Sequence, residues 1–272
     1  MVFEALVNPL SAEKRPWEMF FIGMIYSSLA IVLSLYIFKE YASLVMIFLT
    51  VLASIPILYA AARIEEKKDL VIESKFLLLK EHSKALSFFM FLFVGFVVSF
   101  SLWYVFLPDD TTTILFKAQV KEIASVHRSM ATGNAIDTLG AFGAIFFNNI
   151  MVMAVALLFA FFYGVGAIFI LTWNASIIGA AIGNFVVASQ SHIATAFPMG
   201  LLRYSLHGIP EMLAYFMAGL AGSIISIAIS RHDFGSGKFK KVVVDSLDLM
   251  FMAVLVLFVA ALLEVFVTPV FF

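Results

Sequence analysis

The 272-residue sequence contains no cysteine and few charged residues, and both shortages limit what the protein can be. Without cysteine the chain forms no disulfides, no thiolate metal site and no cysteine nucleophile. Charged residues make up 13% of the chain, against about 25% in a soluble domain. A net charge of −1 says little by itself, and we expect no nucleic-acid partner.

Hydrophobic residues dominate the composition. They make up 63% of the chain, and the mean hydropathy is +1.05. A bilayer core about 30 Å thick takes about 20 apolar helical residues per crossing. The sequence therefore predicts an all-α, polytopic transmembrane helix bundle, with residues 1–272 forming one transmembrane domain whose surroundings are the lipid bilayer of the cell membrane.

Long apolar runs give the number of crossings. Six of them are each close to one bilayer crossing: 17–38, 41–62, 86–107, 147–171, 210–230 and 247–268. A seventh stretch, 174–190, is shorter and carries Gly179, Gly183 and Asn184, so it either crosses or forms a re-entrant, discontinuous element.

The positive-inside rule settles the seventh stretch. Lys and Arg concentrate in the connections 63–84 and 231–241, which both indicate the cytoplasmic side. An even number of crossings must separate these two connections, and only the inclusion of 174–190 gives one. We therefore expect about seven helices, with the N-terminus inside and the C-terminus outside.

The connection 108–146 contains one amphipathic stretch and several glycines. Phe116, Val120 and Ile123 share a helical face, while Lys117, Lys121 and Arg128 favour another face. This pattern fits either a helix on the outer membrane surface or an ordinary helix packed on the protein. Glycines before the fourth span, Gly133, Gly140 and Gly143, suggest irregular backbone.

Unusual polar residues gather on the side that this topology makes the outer one. The candidate polar site comprises Asn148, Asn149, Asn174, His192, Arg203, His207 and Glu211; of these, Asn174 alone falls at the inner end of its span. Ionisable groups near hydrocarbon are costly unless they are partnered or hydrated, so this clustering is a hypothesis for a functional site.

His207 and Glu211 are four residues apart, the spacing of one helical face. Gly208 and Pro210, however, favour a helix that starts near Ile209, with Glu211 in its first turn. The pair then has four explanations: a structural cap with interhelical hydrogen bonds, ion binding or proton transfer, catalysis, and contact with a partner. A divalent metal ion at His207 and Glu211 is conceivable, but the pattern supplies no third ligand.

Small residues recur at helix-packing spacing. Gly179 and Gly183 form one small-xxx-small pair, and Ala214, Ala218 and Gly222 repeat the spacing in the sixth span. Such stripes let helices approach closely, either within one chain or between copies. Glu264, near the outer end of the last span, either reaches the interface or pairs with Arg203.

Three motifs carry a family resemblance. Asn148 and Asn149 open one span, NASIIG opens the next at Asn174, and HGIPEMLAYFMAGLAG begins at His207. In this order they resemble the stage II sporulation protein M family of integral membrane proteins. The resemblance covers a five-helix core, residues 86–268, so that the two helices in 1–62 would be additions. It implies that Asn148, Asn149, Asn174, His207 and Glu211 are the family's polar motif residues, without attaching chemistry to them.

The resemblance implies a scaffold, because in spore-forming bacteria such proteins look like membrane scaffolds for a peptidoglycan-remodelling complex. Our leading hypothesis is therefore a non-enzymatic organiser of a membrane complex, a homo-oligomer or a protein bound to a membrane-protein partner, that acts through its outer face. The alternative is a transporter or an ion-binding or metal-binding protein that uses the polar cluster around His207 and Glu211. A third hypothesis is an intramembrane hydrolase in which Glu211 activates water.

Overall fold

A computed structural model describes residues 15–132, 138–163, 166–189, 191–231 and 235–271, with only the backbone described for 125–132 and 163. These residues form helices and no strands. Seven of the described helices are long and apolar enough to cross a membrane. The predicted all-α bundle of seven membrane helices is therefore confirmed.

The helices follow one another with short connections. In chain order they are α1 (Glu18–Ile37), α2 (Ala42–Val71), α3 (Lys75–Phe106), α4 (Asp109–Leu115), α5 (Lys117–Thr132), α6 (Thr138–Tyr163), α7 (Ala167–Ala188), α8 (Ile193–Ser230), α9 (Gly237–Leu262) and α10 (Thr268–Phe271). A π-helical turn, Leu263–Val267, joins α9 to α10. We call the end of the bundle where α2 and α8 end and where α3 and α9 begin the basic end, since the connections rich in Lys and Arg lie there.

Two helix boundaries have clear causes in the sequence. Pro108 pushes Leu107 into an extended conformation, with ψ at 150°, and this ends α3. At the start of α9, Gly235 adopts a φ of 78°, which glycine tolerates at little cost. The Ser236 side chain then accepts a hydrogen bond from the Phe239 backbone N–H at 3.1 Å and caps the helix.

Helix α8 is the centre of the bundle. It packs most extensively against α9 and α6, and also against α7, while α3 packs against α1 and α7. An aromatic contact joins α3 to α8. The ring of Phe216 on α8 stacks on the ring of Phe89 on α3, with the ring centroids 5.6 Å apart. Helix α1 therefore packs on the bundle mainly through α3 and α2, while α2 also contacts α7, α8 and α9 directly.

Two predicted spans have different bounds in the structure. The run 147–171 includes both the end of α6 and the beginning of α7, and residues 174–188 of the predicted short element belong to the continuous helix α7. Gly140 and Gly143 lie inside α6, so the prediction of irregular backbone at these two glycines is wrong. Gly133, the third glycine of that prediction, lies outside the described residues.

The predicted helix start near Ile209 is also wrong. Helix α8 runs without interruption from Ile193 to Ser230 and contains both Pro198 and Pro210. Membrane helices tolerate proline because neighbouring helices and local adjustments satisfy the freed backbone groups. His207 and Glu211 therefore share one face of a single helix, and Glu211 lies near its midpoint instead of in its first turn.

The predicted small-residue positions lie at close helix contacts within the chain. A Cβ atom added at Gly179 would come within 2.6 Å of the Phe100 side chain, and one at Gly183 within 2.6 Å of Tyr104. Gly222 approaches the Leu157 backbone of α6 in the same way. Ala214 and Ala218, on the same helix as Gly222, are fully buried.

The amphipathic stretch forms α5 and packs on the protein. Phe116 is fully buried against Tyr104, with ring centroids 5.0 Å apart, while Val120 is exposed. Gln119 is buried and accepts a hydrogen bond from Ser43 at 2.9 Å, and it donates to Ser176 at 3.1 Å. Polar contacts thus hold this segment between α2 and α7.

Candidate functional site

Asn149 and Glu211 form a polar contact between α6 and α8. The Asn149 side chain is 6% exposed, and its Nδ2 donates a hydrogen bond to Glu211 Oε1. The neighbouring Asn148 donates from Nδ2 to Asn149 Oδ1 at 3.3 Å. Both helices are apolar, so the pair supplies the partners that a carboxyl group needs away from water.

His207 lies one turn before Glu211 and contacts the last helix. Its Nδ1 is 3.3 Å from Thr268 Oγ1, and the Thr268 hydroxyl donates to the Leu263 carbonyl at 3.1 Å. This second bond closes across the π-helical turn that carries Glu264. Single π-helical turns often occur at functional sites, because they redirect side chains within a helix.

Glu264 is the second carboxyl group of this region. It lies within electrostatic range of both Glu211 and Tyr215. No Lys or Arg among the described residues forms an ion pair with Glu264 or Glu211. The predicted alternative in which Glu264 pairs with Arg203 is therefore not what the structure shows.

A cavity of about 660 Å³ lies beside these contacts and is bounded by α5, α6, α7, α8 and the C-terminal turns; we call it the polar cavity. Its polar lining comprises Glu122, Asn148, Asn174, Arg203, Tyr204, His207, Glu264 and Thr268. Ligand pockets typically measure about 300–1,000 Å³, so the volume suits a small organic molecule. Three of the five motif positions line the polar cavity, and the other two, Asn149 and Glu211, bond to each other next to it.

Polarity changes along the polar cavity. Arg203, Glu264 and Thr268 lie toward the end of the bundle opposite the basic end, as the directions of α8 and the last helix require. Val155 and Ile170, which also line it, lie toward the basic end. The polar cavity therefore has a charged end and a largely apolar end.

Arg203 stands at the charged end without an ion-pair partner among the residues that the structure describes. Its guanidinium carbon lies 5.7 Å from the centre of the Phe185 ring and 6.0 Å from that of Tyr204. Cation–π contacts of this kind hold a guanidinium in place and leave its N–H donors available.

Asn174 lines the polar cavity, whereas His192 lies apart from the other candidate residues. The Asn174 Nδ2 donates to the Ile170 carbonyl at 2.8 Å. His192 precedes α8 and is exposed. Fifteen residues at about 1.5 Å each put it about 22 Å from His207 along the helix, so it does not belong to the site.

The metal hypothesis for His207 and Glu211 lacks a ligand set. Among the described residues no group of three or more His, Asp or Glu side chains is arranged to hold a metal ion. Thr268 and Asn149, the contacts of His207 and Glu211, are neutral oxygen and amide groups.

Sequence reasoning missed a second polar site at the basic end. Glu65 and Asp69 of α2 are fully buried, and His82 of α3 lies between them. His82 Nδ1 is 2.7 Å from Glu65 Oε2, and its Nε2 is 3.1 Å from Asp69 Oδ1. Lys68 pairs with Glu65 at 2.7 Å, and Arg231 pairs with buried Glu66 at 2.6 Å. These six side chains form what we call the ionic network.

One signal for the ionic network was present in the sequence. Glu65 and Asp69 are four residues apart, and they continue the buried face of α2, which includes Leu58 and Ala62. The mixed charges of 63–84 masked this signal, since such segments usually form solvated connections.

Comparison with known proteins gives one match. The family model described as Stage II sporulation protein M matches residues 85–269, which include all the residues that line the polar cavity. No curated protein and no solved structure matches the chain. Because the match covers more than half of the sequence and agrees with the resemblance of its motifs, this multi-pass membrane protein belongs to the Stage II sporulation protein M family.

Proposed function

We propose that the protein is a membrane-embedded binding protein for an amphiphilic molecule, which occupies the polar cavity. The observation that carries this proposal is the polarity of the cavity, charged at Arg203 and Glu264 and apolar at Val155 and Ile170. An amphiphile matches this arrangement, because its polar head can lie at the charged end of the cavity and its hydrocarbon part at the apolar end. The proposal specifies the ligand-binding alternative of the sequence analysis and requires no catalytic step.

The rim of the polar cavity supports entry from the bilayer. Asn148 and Met151 line the cavity, and both are exposed on the surface of α6. A lipid-like molecule could therefore enter sideways between helices without first crossing water.

The test is to fill the polar cavity. Ala181 of α7 lines it, and Ala181→Phe would add a ring to its interior. Ala144→Phe makes the same change on the exposed face of α6 and serves as the control. Native mass spectrometry of protein extracted from membranes in mild detergent should show bound amphiphile on the wild type and on the control, and much less on Ala181→Phe.

Two outcomes would refute the proposal. One is wild-type protein that neither retains nor takes up any amphiphile at lipid concentrations of a native membrane. The other is a folded Ala181→Phe variant that retains as much bound amphiphile as the Ala144→Phe control.

A second candidate function, the organisation of a membrane complex in the cell membrane, is favoured by the family match. In this case the protein would form a homo-oligomer or bind another membrane protein, through the end of the bundle opposite the basic end. Crosslinking in native membranes from introduced photoreactive residues at Leu202 and Ile193, both exposed on the first turns of α8, should capture a discrete partner or a second copy. A strictly monomeric protein without a crosslinked partner would end this candidate and leave the binding proposal intact.

A further inference from the structure

Arg203 and Glu264 are opposite charges that line one cavity without pairing. Arg203 comes from α8, and Glu264 comes from the π-helical turn after α9. Among the described residues neither side chain has an ion-pair partner within 4.0 Å, and each is only partly buried, against the polar cavity. The polar cavity therefore holds a separated positive and negative charge.

Unpaired charges at the edge of an apolar bundle carry a cost. Ionisable side chains in membrane segments normally pair with one another, contact backbone carbonyls or face a hydrated cavity. The rings of Phe185 and Tyr204 lie 5.7 and 6.0 Å from the Arg203 guanidinium carbon, and such contacts leave the N–H donors available to other partners. A guanidinium edge of this kind matches a phosphate or a carboxylate with two parallel hydrogen bonds.

Glu264 and Glu211 favour a cation at the other position. The two carboxyl groups lie within electrostatic range of each other, and the amide of Asn149 donates a hydrogen bond to Glu211. A carboxyl group in a medium of low dielectric constant is costly to ionise, and a cationic group placed beside Glu264 stabilises its charged form.

From this arrangement we propose that the ligand of the polar cavity is zwitterionic, with an anionic phosphate at Arg203 and an ammonium group at Glu264. The inference rests on the proposed binding function and adds the chemical class of the ligand. A purely anionic headgroup satisfies Arg203 but meets the Glu264 carboxylate. A purely cationic headgroup satisfies Glu264 but meets the Arg203 guanidinium.

The test compares two lipids that differ in the ammonium group. Purified protein in mild detergent is titrated with dioleoyl phosphatidylethanolamine, which carries phosphate and ammonium, and with dioleoyl phosphatidylglycerol, which carries phosphate alone. Native mass spectrometry measures both dissociation constants. The wild type should bind the ethanolamine lipid about tenfold more tightly, the ratio that one favourable charge contact supplies.

Variants assign the preference to the two side chains. Glu264→Gln keeps the shape and should abolish the preference, so that both lipids bind with similar affinity. Arg203→Gln should weaken both lipids, and Arg203→Lys should restore part of the affinity. The controls are Glu73→Gln and Arg63→Gln. Glu73 is an exposed carboxylate at the basic end, and the guanidinium carbon of Arg63 lies 5.9 Å from the centre of the Tyr59 ring.

The outcomes separate this inference from the proposed function. Equal affinity of the wild type for both lipids, or a preference that survives Glu264→Gln, overturns the zwitterion assignment while binding of an amphiphile stands. Phosphoethanolamine that competes as well as the whole lipid would keep the zwitterion and overturn the amphiphile. Binding of neither lipid and of no free headgroup overturns both.

Discussion

At the scale of single residues, Asn149 and Glu211 meet where neither side chain has bulk water as an alternative partner. Asn149 is buried, and its amide donates to the Glu211 carboxyl group from the facing helix. Removing one member of such a pair costs the desolvation of the other, whereas removing both members can be nearly neutral.

The first prediction uses this asymmetry. Asn149→Leu should lower the free energy of unfolding by about 1–3 kcal/mol, because Glu211 loses its amide donor. The double variant Asn149→Leu/Glu211→Leu should be less destabilised than the sum of the two single variants. Unfolding by titration with a denaturing detergent, followed by circular dichroism, measures all three. Strict additivity would mean that the two side chains do not interact.

The second prediction concerns His82 in the ionic network. His82→Leu removes the contact at 3.1 Å with Asp69 Oδ1, and Asp69 has no other hydrogen-bond donor among the described residues. Breaking a buried ionic contact costs about 3–5 kcal/mol, and we expect a loss of that size in the same unfolding assay.

His192→Leu is the matched control for His82→Leu. His192 is exposed, and its side chain makes no capping bond to α8. A surface substitution of this kind changes stability by about 0.5 kcal/mol or less. Equal losses for the two histidine variants would contradict the assigned role of the ionic network.

At the scale of helices, close packing between α1 and α3 depends on two glycines that face each other. A Cβ atom at Gly95 would collide with the Phe20 backbone, and one at Gly23 would collide with the Leu92 backbone. The third prediction is that Gly95→Ala lowers the free energy of unfolding by about 1–3 kcal/mol, because α1 must move away.

Gly143→Ala provides the comparison for Gly95→Ala. Gly143 lies within α6, and an added Cβ there would meet nothing within 4 Å. Alanine at an open helical position reduces the entropy of the unfolded chain, so stability should stay the same or rise by up to about 1 kcal/mol. Equal losses of stability in both variants would show that the collision between a Cβ at residue 95 and the Phe20 backbone is not the cause.

The sequence predicted the number of membrane helices better than their ends. Apolar runs indicate which segments are long and hydrophobic enough to cross the bilayer. The positions of Lys and Arg then showed that a seventh crossing was needed. The run 147–171 crosses a helix boundary, because both α6 and α7 are apolar where they meet. Pro210 misled the prediction for α8, because the rule that places proline at helix starts comes from helices in water.

The candidate site was predictable in its residues but not in its geometry. The motif residues Asn149 and Glu211 do bond, and Asn174 joins the polar cavity from a helix that was predicted to place it elsewhere. Glu264 acquires its position from a π-helical turn, which no spacing rule in the sequence indicates. The ionic network was missed because burial at Glu65 and Asp69 depends on α3 packing over the end of α2.

At the scale of the whole molecule, the family match leaves out α1, α2 and the beginning of α3, yet α1 and α2 hold the matched part in place. Glu66 of α2 pairs with Arg231, and Gln119 links Ser43 of α2 to Ser176 of α7. The ends of α2 are thus tied to the matched region at both ends of the bundle. We infer that the two N-terminal helices are an integral part of this protein's fold.

The orientation of the bundle is the fourth prediction, and the absence of cysteine makes it simple to test. Six of the Lys and Arg residues lie in 63–84 and four in 231–241, and both segments belong to the basic end, which should therefore face the cytoplasm. Ser74→Cys places a single thiol at the basic end, and Ser191→Cys places one at the opposite end; both positions are exposed.

A membrane-impermeant maleimide applied to intact cells should label the Ser191→Cys variant and leave the Ser74→Cys variant unlabelled until the membrane is permeabilised. The unsubstituted chain is the control, since it has no thiol to react. The reverse pattern would place the charged end of the polar cavity in the cytoplasm. Labelling of both variants in intact cells would instead contradict the seven-crossing topology, because three crossings, α3, α6 and α7, separate residue 74 from residue 191 and place them on opposite sides of the bilayer.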